Sequence, residues 1–298
     1  MSKDALSSWL VSQRSDFSSS DNHLNLPSNR RTSVRTIAVL SGKGGVGKTT
    51  TTLKLASELV KKGNKTLIVD CDYNLSNTAV KLGLPLSSNF SDFANDNKSF
   101  NECLVKHNGI DYIFGCNGSV NLYEKDFSYD HFIINTLALY GSSYDYILLD
   151  CPAGIGREVV NLAAYCDHRF IVVNPDKSSI TDSYALIKIL NKKNAITSNH
   201  LIVNKVDNSK QYQKVVKSLV DTVSTFLNCR LSVLGAVKNI RISGDSFDQE
   251  FIKPEKNSLD KYFSNIVSTY TDEDSSCVFG AMSASMNSSI EQEVHLNN

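Results

Sequence analysis

Apolar residues fall along this chain in short dense runs separated by amphipathic stretches. Seven runs (VRTIAVLS, KTLIVDCD, DYIFGC, YDYILLDC, HRFIVVN, NHLIVNKV and RLSVLGAV) are largely apolar, with too few polar positions to mark out a solvated face. Strands of that kind are buried on both faces, as in parallel sheets. Between several of them, segments such as TTLKLASELVKK and SSITDSYALIKIL repeat apolar residues at helical spacing. The alternation predicts right-handed βαβ crossovers and a mostly parallel, doubly wound α/β sheet. In the second helical segment Ile180, Tyr184 and Ile187 stand at i, i+4 and i+7, which predicts a core-facing stripe.

The pattern changes at both ends. Leu6, Trp9 and Leu10 lie at i, i+3 and i+4 and predict a short amphipathic helix over 4–13, followed by a Ser/Asn/Asp-rich linker over 15–33. After about residue 275 no period is sustained. Three regions result: 1–34, an N-terminal amphipathic helix plus flexible linker; 35–270, the α/β domain; and 271–298, an acidic loose tail.

Composition adds exclusions. With 298 residues and 41% hydrophobic content the chain is globular rather than disordered. No run approaches the roughly 18 apolar residues of a spanning helix, and the polar start MSKDALSSWLVSQRS is no signal peptide. Seven scattered cysteines without a C-x-x-C pair fit free thiols in a reducing cytosol, so a cytoplasmic location is expected. The formal net charge is zero, but residues 35–270 hold 27 basic and 23 acidic residues and 271–298 hold five acids and no base. An excess of +4 is no strong sign of nucleic-acid binding. The acidic tail, despite a small apolar face at Val278, Phe279 and Met282, predicts weak or indirect membrane association.

The sharpest local signal is GKGGVGKTT, Gly42 to Thr50, between the strand TIAVLS and the helix TTLKLASELV. It spells G-x-x-x-x-G-K-[ST] in the strand–loop–helix setting that a phosphate-binding loop requires. Gly42, Gly44, Gly45 and Gly47 would let the backbone wrap phosphate oxygens, while main-chain N–H groups around Val46 and the helix N-terminus supply positive potential. Lys48 would reach the β/γ-phosphates, and the Thr49 hydroxyl, beside Thr50, would hold Mg²⁺. Lys43 is a second lysine inside the loop.

K-G-G-V-G-K-T resembles the deviant Walker A motif of the MinD/ParA family of ATPases. The resemblance covers about residues 35–270 and implies a P-loop NTPase fold, ATP/ADP and Mg²⁺ as cofactors, and slow, partner-regulated hydrolysis. By it, Lys43 reaches across an ATP-dependent homodimer to the partner's phosphates, in the manner of an arginine finger supplied in trans. In LIVDCDYNLSN the resemblance assigns Asp72 to switch I, holding the Mg²⁺ shell and orienting water, with Asp70 at the end of the same strand. In YDYILLDCPAGIG it assigns Asp150 to Walker B, binding Mg²⁺ through water, and Ala153-Gly154 to switch II. The implied catalytic set is Lys43, Lys48, Asp72 and Asp150, and the implied metal set Thr49, Asp72 and Asp150.

At LIVNKVD the family uses Asn204 to hydrogen-bond adenine, although Asn204-Lys205-Val206-Asp207 also spells the guanine signature N-K-x-D. Where the family has a Pro-Glu/Asp loop, this chain reads VKNIRISGD without proline. NPDKSSITDSYALIKIL and DYNLSNTAVKLGL look most like the FlhG/FleN branch, which sets flagellar number and placement, although Asn74 replaces a usual glycine. That likeness implies partners: an FlhF-like GTPase engaged through residues 4–13, with Trp9 as anchor, and flagellar basal-body or transcription-regulator proteins. It also implies recruitment to the inner membrane or cell pole through them. A MinD/ParA-like positioning or partition ATPase, and a nucleotide-gated binding module with little hydrolysis, are the alternatives. The six histidines show no ligand spacing, and Cys71 and Cys151, beside the two carboxylates, read as packing residues.

Overall fold

The computed structural model describes residues 34–72, 78–85, 89–94, 97–115, 128–242, 244–252 and 257–273. The N-terminal helix and linker, Asn74, and the tail with Val278, Phe279 and Met282 lie outside the described residues.

All seven apolar runs form strands. They are β1 (Arg35–Leu40), β2 (Thr66–Asp70), β4 (Ile110–Ile113), β5 (Tyr146–Asp150), β6 (His168–Val173), β7 (Ser198–Val206) and β8 (Arg230–Lys238). An eighth, β3 (Val105–His107), has no counterpart among the predicted elements. It pairs antiparallel with β4 through the tight turn Asn108-Gly109, both residues having positive φ. Asn-Gly is a strong hairpin signal, but VKH before it is too short and too polar to register as a strand. The sheet order is β3-β4-β2-β5-β1-β6-β7-β8, and every other pair of neighbours is parallel. The mostly parallel sheet agrees with the sequence pattern.

The helices are α1 (Lys48–Lys61), α2 (Thr78–Leu82), α3 (Asn89–Ala94), α4 (Phe100–Cys103), α5 (Tyr129–Tyr140), α6 (Arg157–Tyr165), α7 (Lys177–Asn194), α8 (Ser209–Leu227), α9 (Gly244–Phe251) and α10 over 260–273. From β1 the chain winds through α1 toward β2. From β5 onward it winds through α6, α7 and α8 in the opposite direction. Right-handed crossovers in opposite directions place helices on opposite faces. On one face α1 and α10 share a core with the strands, through Leu55, Leu59, Phe263, Ile266 and Tyr270 against Val39, Ile68 and Val172. The carboxyl ends of the central strands, where winding reverses, form the crevice in which doubly wound sheets bind ligands.

Of the predicted stripe on α7, Ile187 is fully buried with Leu186 and Leu190, while Ile180 and Tyr184 are partly covered. Helix α10 continues to residue 273, so it takes in the first three residues of the stretch read as tail. Among the described residues no helix is long and apolar enough to cross a membrane. Cys71 and Cys151 are buried free thiols, each donating to a carbonyl of its own strand, as packing residues do.

Candidate functional site

β1 ends at Leu40 and α1 begins at Lys48, so the loop stands at the carboxyl edge of the sheet. Two of its glycines are required by the surrounding protein. A Cβ on Gly42 would collide with the main chain of Asp182 in α7, so only glycine lets that helix approach. Gly47 sits at φ 99°, in left-handed backbone, and a side chain there would also strike the Asn204 amide. Gly44 has no neighbour within 4 Å, so space is open above that part of the loop. Ser41 organises the inside of the loop. Its hydroxyl donates to the Lys43 carbonyl at 2.7 Å and accepts from Lys48 Nζ at 3.0 Å.

A cavity of about 480 Å³ opens here, lined by Gly44, Gly45, Gly47, Lys48, Thr49, Thr50, Asp72, Ala153 and Asn204 among others. Predicted residues of the phosphate loop, both switches and the base pocket thus meet at one cavity, while Gly42, Val46, Asp150 and Gly154 are not part of its lining. Its far wall, which the sequence motifs do not mark, comes from the end of β8 and the loop after it (Lys238, Asn239, Ile240, Ile242) and from Phe247, Leu259 and Phe263. The loop without proline therefore does line the site.

The carboxylates are set by register. Asp70 and Asp150 are direct partners on neighbouring parallel strands, both 4% exposed. Burial, and then the Asp70 charge beside it, raise the Asp150 carboxyl to about 7, against the pull of Thr49, Lys48 and Thr52. The Thr52 hydroxyl donates to Asp150 at 3.3 Å. Burial lowers the Lys48 ammonium, and the charges of Asp150 and Asp72 oppose that shift. Asp72 lies two residues past the end of β2, with its N–H donated to Asp70 Oδ1 at 3.0 Å. A buried carboxyl with a raised proton affinity beside a second buried carboxylate is a site short of positive charge. The described residues contain no cluster of three or more His, Cys, Asp or Glu able to hold a metal alone. Mg²⁺ usually binds through one or two carboxylates together with phosphates.

Lys43 does not line this cavity. Its ammonium, 43% exposed, donates to Asp176 Oδ1 at 3.2 Å and to Ser178 Oγ at 2.7 Å, at the start of α7. Asp176 also caps that helix by accepting from Ser179 N at 2.9 Å. An Asp before a helical run is an ordinary cap signal, so its position was legible in NPDKSS, but its bond to Lys43 was not. Switch II is tied to the loop by Gly154 N–H to Ser41 O at 2.9 Å, with Ile155 exposed beside it.

Asn204 braces the loop. Its amide donates to the Val46 carbonyl at 2.7 Å and its oxygen accepts from Lys205 N at 2.9 Å, while Lys205 Nζ donates to the Gly45 carbonyl at 2.8 Å. Asp207, which a guanine pocket would need, is occupied elsewhere. It accepts from Asn239 at 3.0 Å and Arg241 at 3.2 Å, and it does not line the cavity.

The family model described as AAA domain matches residues 34–205, more than half of the chain. Flagellum site-determining protein YlxH of Helicobacter pylori is 34% identical over 210 residues, covering 68% of this chain and 69% of that protein. The chain belongs to the MinD/ParA family of ATPases. Antiactivator FleN of Pseudomonas aeruginosa is 28% identical over 205 residues, covering 68% of this chain and 73% of its own length. The fold matches the septum site-determining protein MinD of Pyrococcus horikoshii, solved in complex with Mg-ADP. The TM-score is 0.63 at 23% identity, covering 78% of this chain and 94% of that one. For a MinD/ParA ATPase, the convergence of Gly44, Gly45, Gly47, Lys48, Thr49, Thr50, Asp72 and Asn204 on one cavity has a direct chemical meaning. Loop backbone, the Lys48 ammonium, the Asp72 carboxylate and the Asn204 amide border one space.

Proposed function

We propose that this chain is a switch ATPase that dimerises on ATP and acts in flagellar number or placement through partner proteins. The observation that carries the switch reading is the position of Lys43. Its ammonium does not line its own cavity and is held by Asp176 and Ser178 at the start of α7. A lysine so placed can be handed to a second subunit without disturbing Lys48. The residues present fit a Mg²⁺-nucleotide: Gly44 leaves open space, Lys48 supplies a cation, and Asp150 seeks one. Mg²⁺, when bound, neutralises charge on the transferring phosphoryl group.

In this reading Lys48 and the N–H groups of the loop bind the phosphates, and the Thr49 hydroxyl and Asp150 hold the metal. Asp72 orients water at the switch I edge, and Lys43 of each subunit stabilises charge in the other. Asn204 has a second N–H and a second lone pair left for adenine, and the engagement of Asp207 with Arg241 favours adenine over guanine. The flagellar assignment rests on the similarity to YlxH and FleN, one a flagellum site-determining protein and the other an antiactivator by name. The partner segment is residues 4–13, with Trp9 as the anchor of a helix that folds on binding.

Two measurements test the proposal. ATP turnover and oligomeric state, followed by sedimentation with and without ATP, should show a slow ATPase that dimerises; a monomer throughout with no turnover would sink the switch. Deleting residues 1–20 should leave ATP binding and dimerisation intact and abolish stimulation of an FlhF-like GTPase. Loss of ATPase activity on that deletion would instead place the segment with the catalytic domain.

A further inference from the structure

Helix α2, which follows the second strand, and helix α9, which follows the last, meet at the edge of the cavity. Lys81, in α2, donates to both carboxylate oxygens of Asp248 in α9, each at 2.9 Å. Both side chains line the nucleotide cavity alongside Lys48, Asp72 and Asn204, and each is 26% exposed. The two helices have five and eight residues. Pieces that short have no stability of their own in water, so their placement depends on what they touch. Thr78 and Ala79 bury the inner side of α2, and Phe247 packs α9 against the core. On the cavity side, the Lys81–Asp248 pair joins the two.

A pair of this exposure contributes little to the stability of a whole domain. Its position gives it a different leverage. The two helices it links come from opposite ends of the chain's α/β unit, 167 residues apart, and both border the space that nucleotide must enter and leave. Leu82 of α2 and Phe247 of α9 both pack against the shared apolar core, and the ion pair adds a polar link between the two helices on the cavity side.

We propose that Lys81 and Asp248 form a strap across the nucleotide cavity, a positioning pair that sets how fast bound nucleotide escapes. The inference rests on reading the cavity as the nucleotide site. With the strap closed, α2 and α9 hold the base-side wall and the switch I side together around the ligand. With it open, the rim widens and dissociation quickens. Lys81 Nζ is engaged by both Asp248 oxygens and not by the phosphate loop, so the strap acts on residence time and not on the chemical step.

The test is the dissociation rate of a fluorescent ADP analogue with Mg²⁺ from the full chain, chased with unlabelled ADP. Asp248→Asn and Lys81→Met should each release the analogue about fivefold faster, the fold-change that corresponds to about 1 kcal/mol. Their melting temperatures without nucleotide should stay at the wild-type value. The charge-exchanged double variant, Lys81→Asp with Asp248→Lys, should bring the rate back to within about twofold of wild type. The gap between wild type and single variants should also shrink as salt screens the pair. Unchanged release in both single variants, or a double variant that releases as fast as they do, overturns the strap while leaving the nucleotide site standing. Absence of saturable ADP binding by the wild-type chain overturns both.

Discussion

The glycines of the phosphate loop look equivalent in sequence and are not equivalent in the fold, which makes Gly42→Ala and Gly44→Ala a sharp pair. An added methyl on Gly42 would stand 2.7 Å from Asp182 Cβ and nearer still to the Asp182 carbonyl. Helix α7 cannot retreat, because Leu186, Ile187 and Leu190 on it are fully buried. The loop must move instead. Overpacking against a fixed neighbour costs about 1–3 kcal/mol, which for a domain of this size lowers the melting temperature by about 2–10 °C. Gly44 has nothing within 4 Å and no positive φ. Alanine there restricts the unfolded chain and should raise the stability of the empty protein by about 0.4–1 kcal/mol. Its methyl would face the incoming phosphates, however, and the loss of one charge-assisted hydrogen bond should weaken Mg-ADP binding about tenfold or more. Scanning calorimetry of the empty protein and titration calorimetry with Mg-ADP read the two effects separately. If Gly42→Ala melts with the wild type, the loop is not pinned by α7. If Gly44→Ala binds Mg-ADP normally, the phosphates do not lie where the open space is.

Lys43→Ala should bind one ADP per chain as the wild type does and stay monomeric with ATP; a normal ATP dimer in sedimentation would show that the lysine works within its own subunit. Because the Asp150 carboxyl is raised to about 7, it loses its charge as pH falls through that value. Mg²⁺-dependent tightening of ADP binding should therefore weaken by about tenfold per unit below pH 7, and a Mg²⁺ effect that is flat down to about pH 5.5 would refute the assignment. His200, held down to about 4 by burial first and then by His168, Arg169 and Arg230, packs among His168, Phe170 and Tyr270, with Glu273 at 3.8 Å. Its unfolded form takes up a proton near 6.5 while its folded form does not, so stability should fall by about 3 kcal/mol between those two values. His200→Phe should remove that acid sensitivity, and chemical denaturation at the two ends of the window would expose the error if it does not.

Much of this protein follows from local pattern alone. Dense apolar runs commit a segment to a strand buried on both faces, so the seven strands and their parallel arrangement were legible residue by residue. Gly42 to Thr50 was legible for the same reason, since loop, lysine and hydroxyl all act within nine consecutive positions. Asp70 and Asp150 could be named as strand-end carboxylates, but their pairing comes from the register of β2 against β5, and the raised proton affinity of Asp150 comes from burial first and that pairing second. Only the tertiary structure decided which groups answer one another over long separations. Lys43 is held by Asp176 across 133 residues, Asn204 braces Val46 across 158, and Lys81 meets Asp248 across 167. It also turned Asp207 toward Arg241, and it brought Phe247 and Phe263 up as the far wall of the cavity. The physical reason is that hydrophobic periodicity encodes which face of an element is buried, whereas a polar contact depends on where two elements cross. That crossing is set by the packing of the whole sheet and its helices, and no short window of sequence contains it.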